Sequence, residues 1–304
     1  MHLSVTSWSP LGRTTTSSIY KFLVHATTVF LGLAAASCSI PPTAEDVQRW
    51  REQTIDSTSR SKGSSLKTEV QTVDALRDGR ELEQARILAL TIAKEFPQEA
   101  AVLYRAARAE MDAVLLLRVA QPNETEEKQE ERAKNRDYAA ASSLDYARRG
   151  AVIAPSDAAV QGQLSWSLGA TTHLLPMLER GNRAHETLEA IEHTRSLDPE
   201  EPTALGTYVV LHTRLATLPW IAKSMASAPP DNLPDAIKVG RRLVARRASV
   251  EHRLMLARAL IAQERNKEAA KLLGEALSDE ETFPRDRVLR PQALALKKSL
   301  EYDD

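Results

Sequence analysis

From about Thr68 to the end of the chain, apolar and small residues recur three and four positions apart, the period of an amphipathic helix. The clearest stretch is 252–280. There Leu256, Ala257 and Leu260 line one face of a first helix, residues 265–267 turn the chain, and Ala269, Leu273 and Ala276 line the facing side of a second helix. Four earlier triplets keep the same phase: Ala85, Ala89 and Ile92; Ser143, Ala147 and Gly150; Thr187, Ile191 and Thr194; Ala236, Gly240 and Leu243. Three of them run into Pro97, Pro155 and Pro199. Proline stops a helix there because it lacks the N–H that the helix interior needs and restricts the residue before it. Val and Ile are scattered rather than alternating, so no sheet is expected. The pattern predicts an all-α chain of stacked antiparallel helix hairpins, closed by a C-terminal capping helix over residues 283–300.

The triplets are unevenly spaced. Ala236 and Ala269 lie 33 residues apart, and the earlier intervals are longer because of visible insertions. Residues 121–136 are almost all charged or polar, which predicts an exposed loop or an extension of the flanking helices. Residues 219–234 hold Trp220-Ile221-Ala222-Lys223 and then Pro229-Pro230, and Trp220 is expected to anchor this insertion or to seal one end of a groove. The apolar–small pair of the first helix and the small, large, small series of the second resemble the tetratricopeptide repeat. Small residues let two helices approach closely while the larger one fills the adjacent hole. The long helices, Gln163-Leu164-Ser165-Trp166 and Leu197-Asp198-Pro199 look more loosely like the T-component proteins of tripartite ATP-independent periplasmic transporters. Leu218-Pro219-Trp220, with its proline-rich turn and final repeat, is similar to the helical-repeat family of regulators of microtubule dynamics.

The N-terminus follows another pattern. Residues 1–21 are polar, with Arg13 and Lys21 and no acid, and residues 22–37 are apolar and about the length of the apolar core of a signal peptide. The run Leu33-Ala34-Ala35-Ala36-Ser37 precedes Cys38, the only cysteine of the chain, and resembles a bacterial lipobox. The resemblance implies that Cys38 is acylated, palmitate among its chains, and becomes the mature N-terminus; Ser39 after it implies the outer membrane of a Gram-negative host. An ordinary signal peptide and a short membrane anchor are the alternatives. Residues 39–66 are rich in Ser and Thr, a tether composition. The expected organisation is therefore a signal peptide over 1–37, a flexible tether over 38–66 and a helical-repeat domain over 67–304.

Charge and chemistry narrow the function. Without residues 1–37, which carry two basic and no acidic side chains, 38 basic residues face 41 acidic ones, and no basic footprint for nucleic acid remains. His185, Glu189 and His193 share one helix face, but a helix spreads them over about 12 Å, too far for one ion. No nucleophile elbow and no glycine-rich phosphate loop occur, so neither catalysis nor a metal or other cofactor is expected. The remaining candidate is the concave face of the array, lined by first helices. Carried along the repeats, the phase places there Tyr104 and Arg108; then Gly162, Trp166 and Gly169; then Gly206, Val210 and Arg214; and finally Leu254 and Arg258. Arginine and aromatic residues suit partner hot spots. The expectation is a membrane-tethered periplasmic scaffold that binds an envelope protein or peptide noncovalently through Tyr104, Arg108, Trp166, Arg214 and Arg258. The alternative is an accessory to a solute transporter, holding a small organic ligand among its helices. An open groove favours the first and an enclosed pocket the second.

Overall fold

The computed structural model describes residues 63–118 and 125–301. Cys38, the leader and most of the tether lie outside the described residues. Those described form twelve α-helices and no strand. Five hairpins follow one another: α1 (Gly63–Asp78) with α2 (Leu82–Glu95), α3 (Ala100–Leu117) with α4 (Glu126–Ile153), α5 (Ala158–Thr171) with α6 (Arg180–Leu197), α7 (Pro202–Thr217) with α9 (Leu233–Arg246), and α10 (Val250–Ala262) with α11 (Asn266–Ser278). The short α8 (Trp220–Met225) is inserted after α7, and α12 (Asp286–Glu301) closes the array. The fold is an all-α, tetratricopeptide-like superhelix. α1 begins at Gly63, a few residues inside the segment assigned to the tether.

The starts and stops follow from the sequence. Side chains of Thr125, Asp157, Glu201 and Ser249 accept hydrogen bonds from backbone N–H groups in the first turns of α4, α5, α7 and α10, satisfying donors that a helix start leaves open. α2, α4 and α6 end two residues before Pro97, Pro155 and Pro199. The turn between α10 and α11 falls at residues 263–265, with Glu264 left-handed (φ 60°), earlier than the expected 265–267, since Asn266 and Lys267 already begin α11. The chain turns before Arg180, and Gly181 stands in the first turn of α6. Its role is close approach, because a Cβ there would collide with the Ala226 backbone in the turn after α8.

All five triplets are buried, most of them completely. The largest apolar core runs through α7 and α9–α12, a second joins α1, α2 and α3, and a third lies between α3 and α4. The hairpins stack through α4 on α5 and α9 on α10, while the first helices also touch one another in the order α3, α5, α7, α10. The array curls far enough for α12 to reach α3. A chain of ion pairs fixes that closure: Asp112 of α3 accepts from Arg77 of α1 at 2.7 Å and from Arg285, just before α12, at 2.5 Å, and Arg285 also reaches Glu251 of α10 at 2.7 Å.

Beside the insertion, the His212 ring packs edge-on to Tyr208, with centroids 4.3 Å apart. Its Nδ1 accepts the Asn232 N–H at 2.9 Å, and its Nε2 is buried without a partner. Burial holds this ring below its ordinary value of 6.5, against the pull of Asp231 and Asp235. The folded chain therefore binds fewer protons here than the unfolded chain, so stability that is complete above pH 6.5 falls as the pH drops below it. Wild type is expected to lose more of its thermal midpoint than His212→Gln between about pH 7.5 and about pH 5.5. Equal losses in the two proteins would assign the acid sensitivity elsewhere.

Candidate functional site

The helix faces that look inward carry a row of residues each. On α3 the row Tyr104, Arg108, Met111, Leu115 and Arg118 advances by alternating steps of four and three residues. Trp166 and Gly169 come from α5, Val210 and Arg214 from α7, Leu254, Met255 and Arg258 from α10, and Leu289 and Gln292 from α12. All of these except Tyr104 and Arg108 line a cavity of about 360 Å³ with a predominantly apolar wall. A second, more polar cavity of about 180 Å³ lies beside it, and Trp166, Glu251 and Met255 line both.

Four arginines line the larger cavity: Arg180, whose guanidinium donates to the carbonyls of Leu175 and His173, and Arg118, Arg214 and Arg258. The last three are exposed to water, although protein crowds around each of them. Among the described residues no carboxylate lies within ion-pair distance of any of them; Arg258 donates to Gln292 Oε1 at 3.3 Å. The acids nearby are engaged elsewhere. Glu251 is held by Arg285, and Asp137 by Arg136 and by His173 Nε2 at 3.0 Å. Enclosure lowers the pKa of all three arginines, and for Arg118 the neighbouring Arg214, Arg136 and Arg258 add repulsion, pushing it down to about 10. His173, the one imidazole among the described lining residues, is already engaged by Ala170 O and Asp137. The arrangement can therefore supply positive charge, N–H donors and apolar contact.

The residues singled out in the sequence divide between the two cavities. Arg214, Arg258 and Trp166 line the larger one, where Gly169, Val210 and Leu254 join them. Trp166 is half-buried, and its indole N–H has no acceptor. Tyr104 and Arg108 line the smaller one. Arg108 stacks over the Tyr104 ring, 5.2 Å from its centroid, and pairs with Asp74 of α1, so its charge is already answered. Gly162 opens no pocket, because the Glu201 carboxylate presses against it, and Gly206 faces Met255. His185 and His193 each place Nε2 against a backbone carbonyl, of Ser227 and Pro155. Trp220 neither anchors the insertion nor seals the groove. It is 76% exposed, and Leu218 and Ala226 face the cavity in its place. Arg118 and Met111 were missed by sequence reasoning, although extending the Tyr104–Arg108 row along α3 reaches both.

The family model described as regulator of microtubule dynamics protein 1-3 matches residues 70–301. No curated protein matches the chain. Among solved structures, the crystal structure of TTC0263, a thermophilic tetratricopeptide-repeat protein of Thermus thermophilus, is similar at 17% sequence identity and a TM-score of 0.49, covering 76% of this chain and 97% of that one.

Proposed function

The chain belongs to the regulator of microtubule dynamics protein 1-3 family, and on that premise we propose that it is a helical-repeat scaffold that holds a protein partner noncovalently against its concave face. The observation that carries this reading is the set of three arginines without acidic partners on an apolar wall beside Trp166. Where the buried Arg77–Asp112–Arg285 network answers its charges within the fold, these three arginines face water and are open to the acids of a partner. The partner is an envelope protein or peptide, and acylation of Cys38 tethers the scaffold to a bacterial membrane, facing the periplasm. Stable anchoring takes two or more acyl chains. Among the described residues no helix is long and apolar enough to cross a membrane. A place beside a solute transporter is the second reading, favoured by the closure of α12 on α3 around the cavity.

Two experiments test this. Affinity isolation of the membrane-anchored protein, followed by mass spectrometry, is expected to recover an envelope protein with wild type and to lose it with Arg214→Glu/Arg258→Glu. The same recovery from both would remove the concave face from partner binding. Cys38→Ser is expected to abolish lipid labelling and to release the protein from the membrane fraction; labelling that persists in this variant rules out the anchor.

A further inference from the structure

We propose that the larger cavity binds a compact organic anion: a carboxylate or phosphate head held by Arg118, Arg214 and Arg258, and a single apolar body lying against Trp166, Val210 and Leu211, which are lining residues with accessible surface. This rests on the same arginines as the partner scaffold and names a different occupant, so an acid bound with no protein recovered, or a protein recovered with no acid bound, separates the two readings.

Four observations converge on it. The volume, about 360 Å³, falls in the range of small-molecule pockets, about 300–1,000 Å³. It lies at the small end, which suits one apolar body beside a charged head rather than a two-chain lipid. The wall is mostly apolar; beside threonines, His173 and Gln292, its charged side chains are four arginines and Glu251. The cation excess is not compensated: among the described lining residues Glu251 is the one acid, and Arg285 already holds it. Guanidinium forks match carboxylate and phosphate oxygens in pairs. An anion placed among them also relieves the mutual repulsion that depresses Arg118. Lastly, the docking of α12 on α3 brings Leu289 and Gln292 to the cavity, which shuts off one side of what would otherwise be a through-groove for an extended chain.

The test uses the full chain and a panel of short aryl and branched-alkyl carboxylates and phosphates, each paired with its uncharged amide or alcohol. Thermal unfolding is followed for wild type and for Arg118→Ala, Arg214→Ala and Arg258→Ala. These side chains touch water, so the unliganded variants should unfold close to wild type. At a hundredfold excess over its Kd, at least one acid is expected to raise the wild-type midpoint by about 5 °C or more, its uncharged partner to have no effect, and the arginine variants to lose the shift. Should a variant fail to fold, native mass spectrometry of wild type isolated from its host decides instead, with a carried organic acid as the expected result. No acid surpassing its uncharged partner, or equal shifts in wild type and variants, would overturn the proposal. A two-chain lipid as the carried molecule would overturn it as well.

Discussion

Asp112→Ala lowers the stability of the fold by about 3–5 kcal/mol, seen as a fall of roughly 10 °C in the unfolding midpoint. Asp112 is 2% exposed and sits in the middle of α3. Burial alone would push its carboxyl upward, but Arg285 and Arg77 outweigh that and hold it below the usual carboxylate value. The paired state gains little over an apolar replacement of all three residues, since desolvation offsets most of the attraction. Removing only the anion is different. It leaves two guanidiniums, each under a fifth exposed, of which Arg285 keeps Glu251 while Arg77 has no other ion pair among the described residues. The loss also has a place in the fold, because the pair joins α1, α3 and the segment before α12. Amide exchange should therefore rise first in α1 and α12, while the central hairpins keep their protection. The pH sign is fixed too: a depressed folded-state value means that the contribution is whole above about pH 3.8 and is lost as the pH falls through the folded value. A loss under about 1 kcal/mol, the range of exposed pairs, would show that water reaches the site and screens it.

Asp112 also marks where the sequence stops being readable. The hairpins were legible because their contacts are local: Ala269, Leu273 and Ala276 declare a buried face by spacing alone, and Pro97, Pro155 and Pro199 declare the ends of helices. The candidate concave face was partly legible for the same reason, since a row on one helix extends by steps of three and four. Closure was not legible. Asp112 and Arg285 are 173 residues apart, and no periodicity links them. An acid within the apolar run of α3 reads equally well as a solvated position. Trp220 failed in the opposite way. A large aromatic ring next to proline reads as an anchor, but the ring is 76% exposed, and its neighbours Leu218 and Ala226 line the cavity instead. Arg108 shows that residue type does not reveal whether a charge is free, because its partner Asp74 comes from another helix. The distinction between Arg108, which is answered, and Arg118, Arg214 and Arg258, which are not, exists only in three dimensions.

Leu273→Ala should cost about 2–5 kcal/mol, the range for emptying a fully buried leucine position. Leu273 has no exposed surface, and it lies between Ala269 and Ala276, which have none either. The two alanines bring α11 close to its neighbours, and Leu273 fills the hole this leaves. The alanine flanks cannot swell into the space, and backbones already in close contact have little room to collapse, so the cavity term is added to the transfer term. The effect should not stay within one hairpin. α11 packs on α10 and on α12, and α12 carries the contact with α3. In a stacked array each unit is held by its neighbours, so a weakened α10–α11 interface also loosens the wall that bears Leu254 and Arg258. Leu294→Ala serves as the control: that side chain is 44% exposed on α12, and its loss should stay within about 0.5 kcal/mol. Chemical denaturation of both variants checks the pair. Similar midpoints for the two would mean that the last hairpin adjusts to the missing volume, and that the small, large, small pattern does not lock it in place.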